Sequence, residues 1–184
     1  MPIANIKSVI NNGILCYHKA ENILNHSSIA MNDVQAIREY VIVYGKSLHD
    51  YANMYFSFRN PMMYKRRMQA ENLCVLAIDN KVLDIPECIV TDQNAACRTV
   101  RFYDASNGIE SIDFNKVFAD NWIDDDIYET SLHKKIKCAE ILIPDSISYD
   151  YIIGAYVLNE TSKIELIQKG FTKDIIIKPS IFFR

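Results

Sequence analysis

The chain has 184 residues, 49% hydrophobic and 23% charged, with only five Gly and five Pro, which excludes a disordered or fibrous polymer and fits a single domain over residues 1–184. Twenty Lys and Arg against 23 Asp and Glu leave a net charge of −3, which excludes a uniformly basic coat and confines any nucleic-acid contact to a local groove. Five irregularly spaced Cys with no CxxC pair, no leader-like opening and no apolar run near the roughly 20 residues of a membrane helix read as a cytoplasmic protein of a reducing compartment.

Ile6, Val9 and Ile10 at helical spacing, followed by Asn11-Asn12-Gly13, predict a short helix ended by a left-handed Gly. A second helix, capped by Ser28 or Asn32, carries Val34, Ile37 and Val41 on one face and ends near Gly45, which leaves Arg38 off the apolar stripe. From Tyr51 to Phe58 the residues alternate, with Ala52, Met54, Phe56 and Phe58 on one face and Tyr51, Asn53, Tyr55 and Ser57 on the other, the pattern of a half-buried strand. Further strands are expected at 73–78, 89–91, 98–103, 138–143, 151–157 and 174–178, where β-branched and aromatic residues stand between Asp, Asn or Pro. Helices are expected around Phe114, Val117 and Phe118, and from Lys163 to Lys169 before Gly170. Helices and strands in this irregular order favour an α+β fold, and no repeat or linker divides it.

The densest chemistry lies between Leu48 and Tyr64, where a His-Asp pair, three Tyr and an Arg surround one strand. Such a segment can hold a planar ligand between aromatic faces, or it is an aromatic core strand with a turn at Asn60-Pro61. Glu140, inside Cys138-Ala139-Glu140-Ile141-Leu142-Ile143, is a carboxylate in an apolar strand and marks either a cleft or a solvent-facing sheet edge. Lys65-Arg66-Arg67 beside Tyr64 can track a phosphate backbone, or it is a solvated helix face. Asp124-Asp125-Asp126 lacks the Gly and the terminal Glu of an EF-hand loop and has no His nearby in sequence, so it reads as a solvated turn, and no metal site is expected. GxGxxG, Walker, GxSxG and HExxH motifs are absent.

Taken together, Asn5-Ile6 with Asn12-Gly13-Ile14-Leu15, Ser28-Ile29-Ala30 leading to Arg38, and Leu48-His49-Asp50-Tyr51 through Tyr55-Phe56 to Pro61-Met62 resemble the DarT family of DNA ADP-ribosyltransferase toxins. The likeness continues through Val90-Thr91-Asp92, Arg98 to Tyr103, Cys138-Ala139-Glu140 and the terminal Ile181-Phe182-Phe183, and so covers nearly the whole chain. It implies an ADP-ribosyltransferase fold, a split and bent α+β sheet with flanking helices whose cleft takes NAD. It also implies transfer to bases of single-stranded DNA and a macrodomain antitoxin that removes the mark, with no membrane involved.

By that resemblance Glu140 matches the catalytic glutamate and Arg38 the supporting arginine. Asn5, Arg38, Tyr51 and Tyr55 would line the NAD cleft, and His49, Lys65, Arg66 and Arg67 would meet DNA. The residue types suit the chemistry, because a carboxylate stabilises the positive charge that develops on a ribose losing nicotinamide. Family members carry a strand ahead of the Asn5 region with a polar residue, often His, that contacts NAD. Met1-Pro2-Ile3-Ala4 stands there instead, which implies weak or absent turnover and exposed sheet edges. The rival expectation is a catalytically inactive module of the same fold that binds nucleic acid or a protein; transfer to protein or RNA is a third.

Overall fold

Asp145 and the short segment behind it carry the chain from one sheet to another, and the site depends on how those two sheets are built. The structure, a computed structural model, describes residues 1–23, 27–28 and 30–183; Ile29 of the Ser28-Ile29-Ala30 motif lies outside the described residues. In chain order the elements are α1 (Ile6–Asn12), β1 (Ile14–Leu15), α2 (Tyr17–Glu21), α3 (Asn32–Tyr40), β2 (Ile42–Val43), β3 (Lys46–Ser47), β4 (Tyr51–Tyr55) and α4 (Pro61–Lys65). There follow β5 (Cys74–Ile78), β6 (Ile89–Thr91), β7 (Phe102–Asp104), α5 (Ala105–Gly108), α6 (Phe114–Phe118) and α7 (Ile127–Ile136). The chain closes with β8 (Glu140–Pro144), β9 (Ser146–Ile147), β10 (Ile152–Val157), α8 (Glu160–Gln168) and β11 (Asp174–Ile177).

Among the described residues, one antiparallel sheet has the order β4-β8-β6-β7 and a second has the order β11-β10-β5. In the second, α8 makes the crossover between the parallel strands β10 and β11, while β5 runs antiparallel to β10. Mixed helices around a split sheet are what the α+β reading expects. Ala52, Val90 and Ile143 of the first sheet pack with Ala139 on Ile112 and Val117, whereas Ile3, Ile6 and Val9 pack with Leu166 on Cys74, Ala155 and Val157 of the second. Ile14 and Ile78 border both clusters and so join the two cores. Each fully buried Ile or Leu in them contributes roughly 1.5–3 kcal/mol.

Gly13 ends α1 as expected, at φ 76°, and a Cβ there would stand 2.2 Å from the Ile147 carbonyl oxygen, so only Gly lets β1 reach β9. Met1 lies along the start of β5, its amino group donating to the Cys74 carbonyl at 2.7 Å.

Several expectations need correction. The apolar stripe expected on α3 is not its buried face: Ile37 is 50% exposed while Arg38 is only 4% exposed. The helix turns inward the residue that meets a buried charge, and charge pairing outweighs the burial of one Ile. Met31, not Ser28 or Asn32, occupies the cap position, and α3 ends at Tyr40, because Tyr44-Gly45, both at positive φ, make the tight turn of a β2–β3 hairpin. The alternation from Tyr51 stops at Tyr55; beyond it Phe58 is exposed and Ser57 buried, since Asn60 donates to the Ser57 carbonyl at 2.8 Å and caps α4 through Met63 N–H at 3.0 Å. The strand expected at 98–103 begins only at Phe102, because Gln93 and Thr99 close the residues before it into a loop, Thr99 Oγ1 donating to Gln93 Oε1 at 2.9 Å. The Asp run does lie in a bend before α7, with Asp125 and Asp126 exposed and Asp126 capping the helix by accepting from Glu129 N–H at 3.0 Å, but the fold brings His133 to 3.0 Å from Asp124. That pair stands without a third ligand: among the described residues no group of three His, Cys, Asp or Glu could hold a metal ion.

Burial pushes the thiols of Cys88 and Cys138 up to about 12, with Asp104 and Glu140 respectively as the nearest negative charges raising them further. At pH 8 both thiols are expected to resist alkylation in the native protein, checked by peptide mass mapping. The unfolded thiols release their protons near 9.0 and the folded ones near 12, so their stability contribution is complete below pH 9 and falls between those values. In urea titrations Cys88→Ala should therefore lose stability less steeply than the parent chain across that window.

Candidate active site

Glu140 opens β8 with no exposed surface, directly after the turn that follows α7. That turn is held from behind by Lys137, also fully buried, whose Nζ donates to the carbonyls of Val117 at 2.9 Å and Ala119 at 2.5 Å. Burial, followed by the charge of Arg59, lowers the Lys137 pKa from its ordinary value. The main chain of Glu140 is fixed too: its N–H donates to Thr91 Oγ1 at 2.9 Å, and the same hydroxyl donates to the Gln93 carbonyl at 2.6 Å.

The carboxylate then faces Arg38. One guanidinium nitrogen, Nη1, lies 3.1 Å from Oε1 and 3.0 Å from Oε2, and Ala95 N–H donates to Oε1 at 3.0 Å. Two desolvated opposite charges with an added main-chain donor satisfy the rule that buried charge must be paired. The loop after β6 supplies that donor, so β6, β8 and α3 together define the site.

Behind Arg38 lies a chain of orienting contacts. Gln35, on the same helix, pairs with His49 Nε2 at 3.1 Å, and the His49 ring stacks on Tyr17 with centroids 4.1 Å apart. His18 meets the His49 ring edge-on and pairs through Nδ1 with Asp50 at 2.8 Å. Burial, then the neighbouring His18 and Arg38 charges, lower the His49 pKa and keep the ring neutral beside the arginine. The hydrogen bond from His18 is the largest cause of the lowered Asp50 pKa.

The residues expected to act together are distributed as follows. Arg38 and Glu140 are in contact, and Tyr55 is the cross-strand partner of Glu140, its phenol held protonated by burial and by that carboxylate. Tyr51 is buried, its hydroxyl donating to the Val43 carbonyl at 3.1 Å, so it braces the hairpin next to α3 instead of presenting its ring to solvent. His49, 4% exposed, likewise supports α3 from within. Asn5 clamps the main chain of Ser27, donating to its carbonyl at 2.7 Å and accepting from its N–H at 2.8 Å. Lys65 reaches Met31 Sδ at 3.3 Å, Arg66 the Ala30 carbonyl at 3.4 Å, and Arg67 lies over the Tyr64 ring at 4.4 Å.

Sequence reasoning missed Gln35, Ala95 and Lys137. Ala95 acts through its main-chain N–H, which no side-chain motif signals; Lys137, inside an otherwise apolar stretch next to Cys138, is a buried-charge signal of the same kind that singled out Glu140.

Residues 1–183 match the family described as ssDNA thymidine ADP-ribosyltransferase, DarT. A DNA ADP-ribosyl transferase–DNA ADP-ribosyl glycohydrolase fusion protein of Thermosipho africanus is 27% identical over 190 residues, covering 98% of this chain and 47% of the relative. The chain thus spans about half the length of that fusion. Thermus sp. 2.9 DarT superposes with a TM-score of 0.87 in its complex with ADP-ribosylated ssDNA, at 20% identity over 100% of this chain and 93% of the other. Its complex with NAD+ gives 0.81 at 19% identity, over 100% and 94%. The fold is therefore that of DarT.

Removing one partner of the buried pair strands the other charge. Arg38→Ala and Glu140→Ala are each expected to cost about 3–5 kcal/mol in chemical denaturation, and the double variant clearly less than their sum.

Proposed function

We propose that this chain, which belongs to the DarT family, cleaves NAD between nicotinamide and ribose and transfers ADP-ribose to a base of single-stranded DNA, with thymidine the base that the family description names. The observation that carries the reading is the fully buried Arg38–Glu140 pair, assembled from elements 102 residues apart. A carboxylate paired with a guanidinium in a dry site stabilises the charge that grows on the ribose as the C1′–N bond breaks and nicotinamide leaves with the bonding electrons. A new C1′–N bond then forms to the base, whose nitrogen gives up its proton. Glu140 is the group suited to receive it, and Arg38 is suited to hold the base oxygen or the NAD diphosphate.

In the free chain Arg38 covers both carboxylate oxygens, so substrate must take over part of those contacts. Ala95 N–H keeps one oxygen bound during that exchange. Tyr55, protonated beside Glu140, is a donor for the ribose or the departing amide. The retained pair weighs against the inactive-module reading, which has no need of a buried charged site.

The fusion of the Thermosipho africanus relative to a glycohydrolase supports a toxin role, opposed by a macrodomain-type enzyme that removes the mark. DNA as acceptor supports a cytoplasmic activity. Among the described residues no helix is long and apolar enough to cross a membrane.

Mass spectrometry of thymidine-containing single-stranded oligonucleotides incubated with the chain and NAD tests the reading. One ADP-ribose added by the parent chain and none by folded Glu140→Gln is the expected result. No adduct with the parent chain, or equal adduct with the variant, overturns it.

A further inference from the structure

The chain contains one tryptophan, and Trp122 sits in neither core. Its indole packs edge-to-face on Tyr64, centroids 6.0 Å apart at 81°, and 5.7 Å from Phe183 at 67°; Tyr64 and Phe183 meet at 5.3 Å and 88°. Three segments far apart in sequence thus converge on a cluster of three aromatic rings that remains at the surface, with Tyr64 43% exposed. Cations flank it: the Arg67 guanidinium lies 4.4 Å from the Tyr64 ring centre and that of Arg59 4.4 Å from the Phe183 ring centre. Arg59 and Arg67 otherwise donate to the carbonyls of Ser180 and Tyr64, not to carboxylates, and Arg59 Nε has no partner among the described residues. A cavity of about 380 Å3 opens beside the cluster between Arg67, Glu71, Asn159 and Phe183, its one carboxylate, Glu71, accepting from Asn159 Nδ2 at 3.0 Å.

Aromatic faces interleaved with uncompensated cations are the chemistry that holds single-stranded nucleic acid, rings taking bases and guanidinium groups taking phosphates. The position fits. Tyr64 is on α4, whose Lys65 touches Met31 at the cap of the helix bearing Arg38, and the Met62 main chain contacts Cys138, two residues before Glu140.

We propose that Tyr64, Trp122 and Phe183, with Arg59 and Arg67, form a stacking platform for a nucleotide flanking the base presented to Arg38 and Glu140. This rests on the function proposed above. The platform reads no sequence by hydrogen bonds; it anchors the strand and sets which neighbour of the target is held.

Because Trp122 is the sole indole, its fluorescence reports occupancy directly. Titration with a thymidine-containing single-stranded oligonucleotide is expected to quench the emission, while an abasic oligonucleotide of equal charge leaves it nearly unchanged. Tyr64→Leu, with its melting temperature checked, is expected to raise the KM for oligonucleotide about tenfold with kcat at saturating DNA little changed. If the parent chain modifies DNA but Trp122 emission does not respond and Tyr64→Leu has the parent KM, the platform is overturned and the function stands. If the parent chain modifies no DNA, both fall.

Discussion

A carboxylate with no access to water is tolerated in a β-sheet only when its charge is met on the spot, and the placement of Arg38 against Glu140 follows from that constraint. It explains why α3 turns a guanidinium, not Ile37, towards the sheet. It explains as well why the loop after β6 folds back through Gln93 and Thr99 to aim the Ala95 N–H at one oxygen, and why Thr91 is spent on the main chain of Glu140. The site is a by-product of no single element; it exists only where β6, β8 and α3 are all in register.

The layers behind the pair make it rigid. Lys137 ties the turn before β8 to α6, and Tyr17, His18, His49 and Asp50 form a packed train that ends on Gln35, on the face of α3 that carries Arg38. A neutral His49 suits this arrangement, since a second positive charge there would repel the arginine. Charges held oriented and dry act most strongly on their surroundings, and these contacts hold the pair in that state.

Much of the architecture was legible. Runs of β-branched and aromatic residues between Asp, Asn or Pro marked β5, β6, β8, β10 and β11 to within a residue or two, and Gly13 and Gly170 marked helix ends. Glu140 stood out because an acid in an apolar strand violates local expectation, and such violations concentrate at functional sites. What escaped was set by tertiary contact. The buried face of α3 was misread because Arg38 is inward only by virtue of a partner 102 residues away. Helix α7 lacked a clear apolar stripe, being held by His133 on Asp124 and on the Lys116 carbonyl. Tyr51 and His49 are buried, one bracing the β2–β3 hairpin and the other pairing with Gln35 on α3, a placement that residue type does not carry.

In the proposed reaction Arg38 surrenders part of its grip on Glu140 to NAD. Nitrogen-15 NMR of the arginine side chains, with Arg38 assigned by mutation, follows that exchange directly. Slowly exchanging Arg38 guanidinium protons in the free chain, reflecting burial against the carboxylate, and a marked shift of those signals on saturation with NAD are the expected result. Arg38 signals that exchange rapidly with water in the free chain, or that stay unmoved at saturating NAD, would contradict it.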